Sequence, residues 1–154
     1  MPKKLLIIAH APSPNLKAML ESLCRGARDP MITEVETICL APLEAISDDA
    51  LAANAVILLT PENLGYMSGA LKDFFDRSYY GLLDQTDALP YATVIRAGND
   101  GTGTRRAIES ICGGLKWNAV QAPLICRGKW QQGFLDDCHE LGLTLALGLQ
   151  EGVF

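Results

Sequence analysis

The chain has 154 residues, 49% hydrophobic and 20% charged, enough for a single domain over residues 1–154 with its own core. Lys and Arg total 13 against 18 Asp and Glu, a net charge of -5, which disfavours nucleic acid as a partner because phosphate backbones select basic surfaces. The longest apolar runs, Leu5 to Ala9 and Ala55 to Leu59, are far too short to cross a bilayer, and the start carries no secretory pattern, so no membrane partner and a cytoplasmic location are expected.

The first predicted strand is Lys4 to Ala9, KLLIIA, a continuous apolar run. It leads into His10 to Leu16, HAPSPNL, where Ser13 suits an N-cap and Pro14 the first helical position. Leu16, Met19, Leu20, Leu23 and Cys24 then form one helical face. Free N–H groups from Asn15 onward, at the positive end of the helix dipole, suit an anion such as phosphate. The Ser13 hydroxyl and the Asn15 amide add donors. A well-capped helix with no ligand fits the same residues.

Glu34 to Leu40 alternates in polarity, as an edge strand does. A short helix is predicted from Ser47, with Asp48 and Asp49 in its first turn, where negative charge suits the dipole. Ala55 to Thr60 is the next buried strand. It runs into TPENLGYMSGALKDFFDR, Thr60 to Arg77. Ser68 suits the cap of a helix whose apolar face is Leu71, Phe74, Phe75 and Tyr79, with Lys72–Asp76 and Asp73–Arg77 as i,i+4 pairs on the wet face. Tyr66 and Met67 have no part in that cap. The open readings are packing under the sheet edge, flanking a planar ligand, or meeting another subunit.

Tyr91 to Ala97 is the fourth strand, followed by GNDGTG, Gly98 to Gly103. Its three glycines permit positive φ and a close approach to a flat ligand, although its position and spacing differ from the dinucleotide fingerprint. A tight turn before a helix starting at Thr102 or Gly103 fits equally. Ala107, Ile108, Ile111, Cys112 and Leu115 form the next helical face, Ala119 to Cys126 a weaker fifth strand, and Leu135, Cys138, Leu141, Leu145 and Leu149 the last helical face. Cys24, Cys39, Cys112, Cys126 and Cys138 include no Cys-x-x-Cys pair, and their odd number argues against a disulfide framework. Small buried thiols are expected. His10 and His139 have no metal-ligand spacing, so no metal site is expected, and Trp117 and Trp130 are expected in helix–sheet packing or at its rim.

Strands alternating with helices predict an α/β fold: a three-layer, doubly wound sandwich around a five-stranded parallel sheet of order 2-1-3-4-5. Ligands in such sheets bind outside the carboxyl ends of the strands, near the switch point between strands one and three. That places the chemistry in the loops after Ala9, Thr60 and Ala97.

The segment TPENLGYMSGALKDFFDR resembles the one after the third strand in flavodoxin-like NAD(P)H-dependent FMN reductases and quinone reductases. The family pattern is matched at Pro61, Glu62, Gly65, Met67, Gly69, Leu71, Lys72, Phe74 or Phe75, Asp76 and Arg77. AGNDGTG is similar to the family's loop after strand four, and HAPSPN to its phosphate loop. The resemblance implies FMN as cofactor, NADH or NADPH as hydride-donating co-substrate, and a quinone or similar small-molecule electron acceptor. It implies a flavin phosphate near His10, Ser13, Asn15 and Leu16. The ring would lie between Pro61, Glu62, Asn63, Leu64, Gly65, Tyr66 and Met67 on one side and Gly98, Asn99, Asp100 and Gly101 on the other. No catalytic side chain is required, because the flavin carries the redox chemistry. A homodimer or homotetramer is also implied, with Tyr66, Phe75 and Tyr79 as candidate contacts. Two positions depart from the family: Pro14 stands for a common Gly and Leu16 for a common Thr, removing an N–H and a hydroxyl. One such bond to a charged group is worth roughly 1.5–3 kcal/mol, which implies weakened FMN binding. The alternatives are a single-electron carrier of the flavodoxin type and a binding module on the same fold with weak or lost FMN binding.

Overall fold

The computed structural model describes every residue from Met1 to Phe154. Strand β1 (Lys3–Ala9) is followed by helix α1 (Pro14–Ala27), β2 (Val35–Leu40), the short α2 (Ser47–Leu51) and β3 (Ala55–Asn63). A two-residue strand β4 (Tyr66–Met67) precedes α3 (Gly69–Leu82), β5 (Pro90–Ala97) and α4 (Thr102–Gly114). The chain ends with β6 (Asn118–Ala119), β7 (Leu124–Arg127) and α5 (Gly133–Gln150). The main sheet is parallel, in the order β2-β1-β3-β5, with β6 and β7 side by side in sequence along the far edge of β5.

The expected fifth strand, Ala119 to Cys126, is therefore two short pieces. β6 pairs Ala119 with Tyr91, and β7 pairs Leu124 with Val94. The break at Gln121 to Pro123 has a local cause: Pro123 has no N–H to give to β5. The edge position makes the interruption tolerable, because only one neighbour loses a bond.

Alternation along the strands builds two cores. Leu5 and Ile7 of β1, with Ala55, Ile57 and Leu59 of β3, face α1 and α5. Leu6 and Ile8, with Val56 and Leu58, face α3 and α4 and pack on Phe74, Phe75 and Ile108. Each of these side chains except Leu6 and Phe75 is fully buried, and those two fall within 2% of it. Both faces of the sheet are covered, which is why the strands read as continuous apolar runs. β2 pairs with β1 alone and is the expected edge strand.

On one face α1 and α5 cross with almost no space between backbones. A Cβ on Gly26 would lie 2.0 Å from the His139 carbonyl oxygen, and one on Gly142 would lie 2.1 Å from that of Leu23. On the other face Arg77 extends its predicted role. Besides its ion pair with Asp73, it donates to the carbonyls of Ala45 (2.9 Å) and Pro42 (2.8 Å), tying α3 to the approach to α2. At α2 the helix begins at Ser47 as expected, and Asp49 accepts from the Ile46 N–H at 2.8 Å. Trp117 is buried, donating from Nε1 to Thr86 Oγ1 at 2.8 Å. No helix is long and apolar enough to cross a membrane.

Candidate functional site

The carboxyl ends of β1, β3, β5 and β7 meet on one edge of the sheet. β1 and β3 are adjacent, while their following helices lie on opposite faces. Their loops consequently diverge and leave a shelf at the switch point.

At the end of β1 the His10 N–H is used by the sheet, donating to the Leu59 carbonyl at 3.0 Å. Ser13 is extended (φ -118°, ψ 161°), and its hydroxyl accepts from the Leu16 N–H at 3.2 Å, the predicted cap. Pro12 and Pro14 have no N–H to offer. The N–H groups of Ala11, Ser13 and Asn15 have no partner within the chain. The first turn of α1 holds no acidic residue. Alternate residues thus leave three unpaired donors at the positive end of a fourteen-residue helix, a chemistry that selects an anion.

The stretch after β3 is a hairpin where a loop was expected. β3 runs on through Pro61, Glu62 and Asn63, and pairs antiparallel with β4 as Glu62 with Met67 and Asn63 with Tyr66. The two turn residues, Leu64 (φ 53°) and Gly65 (φ 74°), are both left-handed, as a type I′ turn requires. The Leu64 side chain is fully exposed and Tyr66 is 39% exposed, so both border the shelf from the hairpin tip. Met67 does not. Its side chain is 2% exposed and belongs to the core beside Leu71 and Phe74, because strand alternation turns it away from Tyr66. Beneath the hairpin, Thr60 is buried, accepting from the Ser68 N–H at 3.0 Å and donating to the Pro61 carbonyl at 2.9 Å.

The glycine loop after β5 lies against this hairpin. Gly101 has φ 71°, and a Cβ there would meet Ile125 Cγ2 at 2.7 Å. A Cβ on Gly103 would lie 2.4 Å from the Gly65 carbonyl oxygen, so the absence of a side chain is what lets α4 start beside the hairpin turn. Glu62 Oε1 accepts from the Asn99 N–H at 3.3 Å and links the two loops. The N–H groups of Leu64, Gly65, Gly98, Asp100 and Gly101 have no partner within the chain. Together they are unpaired backbone donors in the two loops beside the switch point.

Asp100 shapes the loop through its own side chain. Its carboxylate accepts from the Thr102 N–H at 2.9 Å. That bond holds it below the usual carboxylate range, aided by the Thr102 hydroxyl and by the Arg127 and Arg106 guanidiniums.

Two arginines not expected from the sequence complete the edge. Arg127, at the end of β7, donates from Nε to the Asp100 carbonyl at 2.6 Å. Arg96 donates to the carbonyls of Ala97 (2.9 Å) and Cys126 (3.0 Å), and its guanidinium stacks 5.8 Å from the Trp130 ring centre and 5.2 Å from that of Phe134. The available signal was a cation at or beside the end of an otherwise apolar strand, IRAG and ICRG. Trp130 is at the rim, as expected.

The shelf is open. The clefts of the molecule, ≈ 220 to ≈ 310 Å³ in volume, lie elsewhere, although one of them borders the α1 end of the shelf at Ala9, Ala11 and Lys17. No cluster of His, Cys, Asp and Glu is arranged to hold a metal ion.

No family model matches the chain, and no curated protein matches it in sequence. Its fold does have close counterparts. A flavodoxin from the domain Archaea superposes with a TM-score of 0.80 at 18% identity, over 96% of this chain and 99% of that one. A flavodoxin, WrbA-like protein from Agrobacterium tumefaciens gives 0.71 at 15% identity, over 98% and 99%. The flavodiiron protein from Giardia intestinalis gives 0.76 at 14%, where this chain matches 35% of a longer one. At these identities the likeness establishes the fold, which is flavodoxin-like.

Proposed function

We propose that this chain is an FMN-dependent NAD(P)H oxidoreductase serving a quinone or similar small-molecule acceptor. One observation carries the reading. Two sets of unpaired backbone donors flank the switch point, one at the mouth of α1 and one on the hairpin and glycine loop. That is the donor set a phosphate joined to a flat ring with a polar edge requires.

The residues present fit the group. The Ala11, Ser13 and Asn15 N–H groups and the Asn15 amide would hold the phosphate, with the α1 dipole adding attraction. The N–H groups of Leu64, Gly65, Gly98, Asp100 and Gly101 would hold the polar edge of the ring. FMN, when bound, supplies the electron-transfer chemistry. This chain's own part is binding and placement. Glu62 fixes the separation of the two loops, Gly103 lets them sit close, and the Leu64 and Tyr66 side chains give an apolar border that excludes water. The motif Pro61 to Arg77 favours the reductase over other flavin proteins of this fold.

A second reading, a single-electron carrier, is favoured by structural likeness. The archaeal flavodoxin and this chain cover each other almost completely, with a TM-score of 0.80. The net charge of -5 also suits docking on basic partners. Mixing the FMN-loaded protein with NADH or NADPH without oxygen separates the two. Bleaching of the flavin absorbance supports the reductase, whereas a bound flavin that ignores both nicotinamides identifies the carrier. Failure to bind FMN overturns both and leaves a binding module on this fold.

Self-association belongs to the same proposal. Phe75 is excluded as a contact because it is 1% exposed in the core. Tyr66 at 39% exposure and the half-buried Tyr79 remain available to a second copy, joined by Tyr80 at 84%. Sedimentation at micromolar concentration should show a dimer or tetramer, and a monomeric mass rejects this part of the reading.

A further inference from the structure

The structure assigns a peroxide-sensitive dithiol to Cys24 of α1 and Cys39 of β2, which we propose close reversibly into a disulfide that ties the first helix to the edge strand. Their sulfurs lie 2.6 Å apart. A disulfide needs about 2.0 Å, so the two sulfurs have only about half an ångström to close. The thiols differ in access. Cys112, Cys126 and Cys138 are at most 1% exposed. Cys39 is half-buried and lines the cleft of ≈ 310 Å³ that opens beside Ala11, Lys17 and Leu20. A small oxidant therefore reaches Cys39 and not the deeper thiols.

The surroundings also divide the labour between the two sulfurs. The Arg28 guanidinium, which donates to the Thr37 carbonyl at 3.0 Å, stands 4.0 Å from the Cys39 sulfur and on the Cys39 side of the pair. The Cys24 hydrogen bond, joined by the Arg28 charge, holds the Cys39 thiol below its ordinary range. Cys24 is held above it by the same contact and by burial. Cys39 is thus the attacking thiolate and Cys24 the resolving thiol.

The electron balance is complete with a hydroperoxide as oxidant. The Cys39 thiolate attacks the peroxide. An S–O bond forms, the O–O bond breaks, and for hydrogen peroxide the leaving oxygen departs as water after protonation. The Cys24 sulfur then gives up its proton and attacks the Cys39 sulfur. The S–S bond forms, the S–O bond breaks, and the second oxygen leaves as water. Two electrons pass from the sulfurs to the peroxide. A dithiol reductant reverses the change by exchange. The step does not depend on a bound flavin.

The test uses the native, full-length protein and one equivalent of hydrogen peroxide. Alkylation in denaturant without reductant, followed by peptide mapping, should show Cys24 and Cys39 peptides joined and two thiols lost, both recovered with dithiothreitol. In Cys24→Ser the Cys39 sulfenic acid should persist long enough to be trapped by dimedone. Cys126→Ser should still form the link. A wild-type map with all thiols intact, a link between other cysteines, or Cys39 carried on to the sulfinic acid while Cys24 stays free would overturn the assignment.

Discussion

Glu62 and Asn99 join across the shelf: the Glu62 carboxylate accepts the Asn99 N–H at 3.3 Å and couples the hairpin after β3 to the glycine loop after β5. These two loops are the ones proposed to grip the edge of the flavin ring, so their spacing governs the fit. Glu62→Ala removes the tie. The pair is solvent-facing, so stability should change by no more than about 0.5 kcal/mol. FMN affinity should fall by roughly 1 kcal/mol, about fivefold. Thermal melts and flavin titrations of the variant check both parts. A large loss of stability with affinity unchanged would make the contact purely structural.

Pro14 sits at the mouth of α1, where an N–H would extend the row left by Ala11, Ser13 and Asn15. Pro14→Gly supplies it. One added bond to a phosphate is worth roughly 1.5–3 kcal/mol, so FMN binding should tighten about tenfold or more. The variant should melt slightly earlier, because glycine lacks the fixed φ that suits the first helical position. Unchanged affinity would place the phosphate elsewhere.

The α1–α5 crossing predicts a contrast between two glycines. Gly26→Ala forces a Cβ to within 2.0 Å of a backbone carbonyl that cannot swing aside, and should destabilise by about 1–3 kcal/mol. Gly113→Ala, in α4 with nothing within 4 Å of its Cβ position, should stabilise by about 0.5–1 kcal/mol through helix propensity. Urea unfolding of the two variants decides it. Equal effects would contradict the crossing geometry.

Tyr91 is 5% exposed, and burial holds its phenol well above the ordinary range, with Cys112 and Glu109 adding to the shift. A raised folded value means that stability is present below the unfolded value of about 10 and is lost as pH rises beyond it. In that range the unfolded chain releases a proton that the folded chain keeps. Tyr91→Phe should make the fall in urea midpoint between about pH 9 and about pH 11 shallower. A variant that loses stability as steeply as the parent would show that another group, such as the buried Cys112 thiol, dominates.

The layers, the strand order and the positions of the loops after β1, β3 and β5 were legible because each rests on local chemistry. KLLIIA and AVILLT announce strands buried on both faces. Ser13 and Ser68 announce caps, and both hydroxyls do accept from the N–H three residues on. The hairpin was not legible. A type I′ turn calls for Asn-Gly or Asp-Gly, and Leu64-Gly65 hides it, since a leucine at φ 53° runs against its own steric preference. Met67 read as a ligand contact because residues so close in sequence look alike in a loop. Once Tyr66 and Met67 form a strand, they must face opposite ways. The division of the last strand turned on Pro123, which an apolar average overlooks. The Cys24–Cys39 pair joins a helix to a strand fifteen residues away, a tertiary fact that spacing alone does not contain.

The donors at the mouth of α1 and along the two loops are proposed to hold FMN. Titrating the cofactor-free protein with FMN and following flavin fluorescence tests this most directly. A saturable change at one FMN per chain is expected, weakened when Asn15 is replaced by Ala. A fluorescence signal that stays that of free FMN throughout the titration would contradict it.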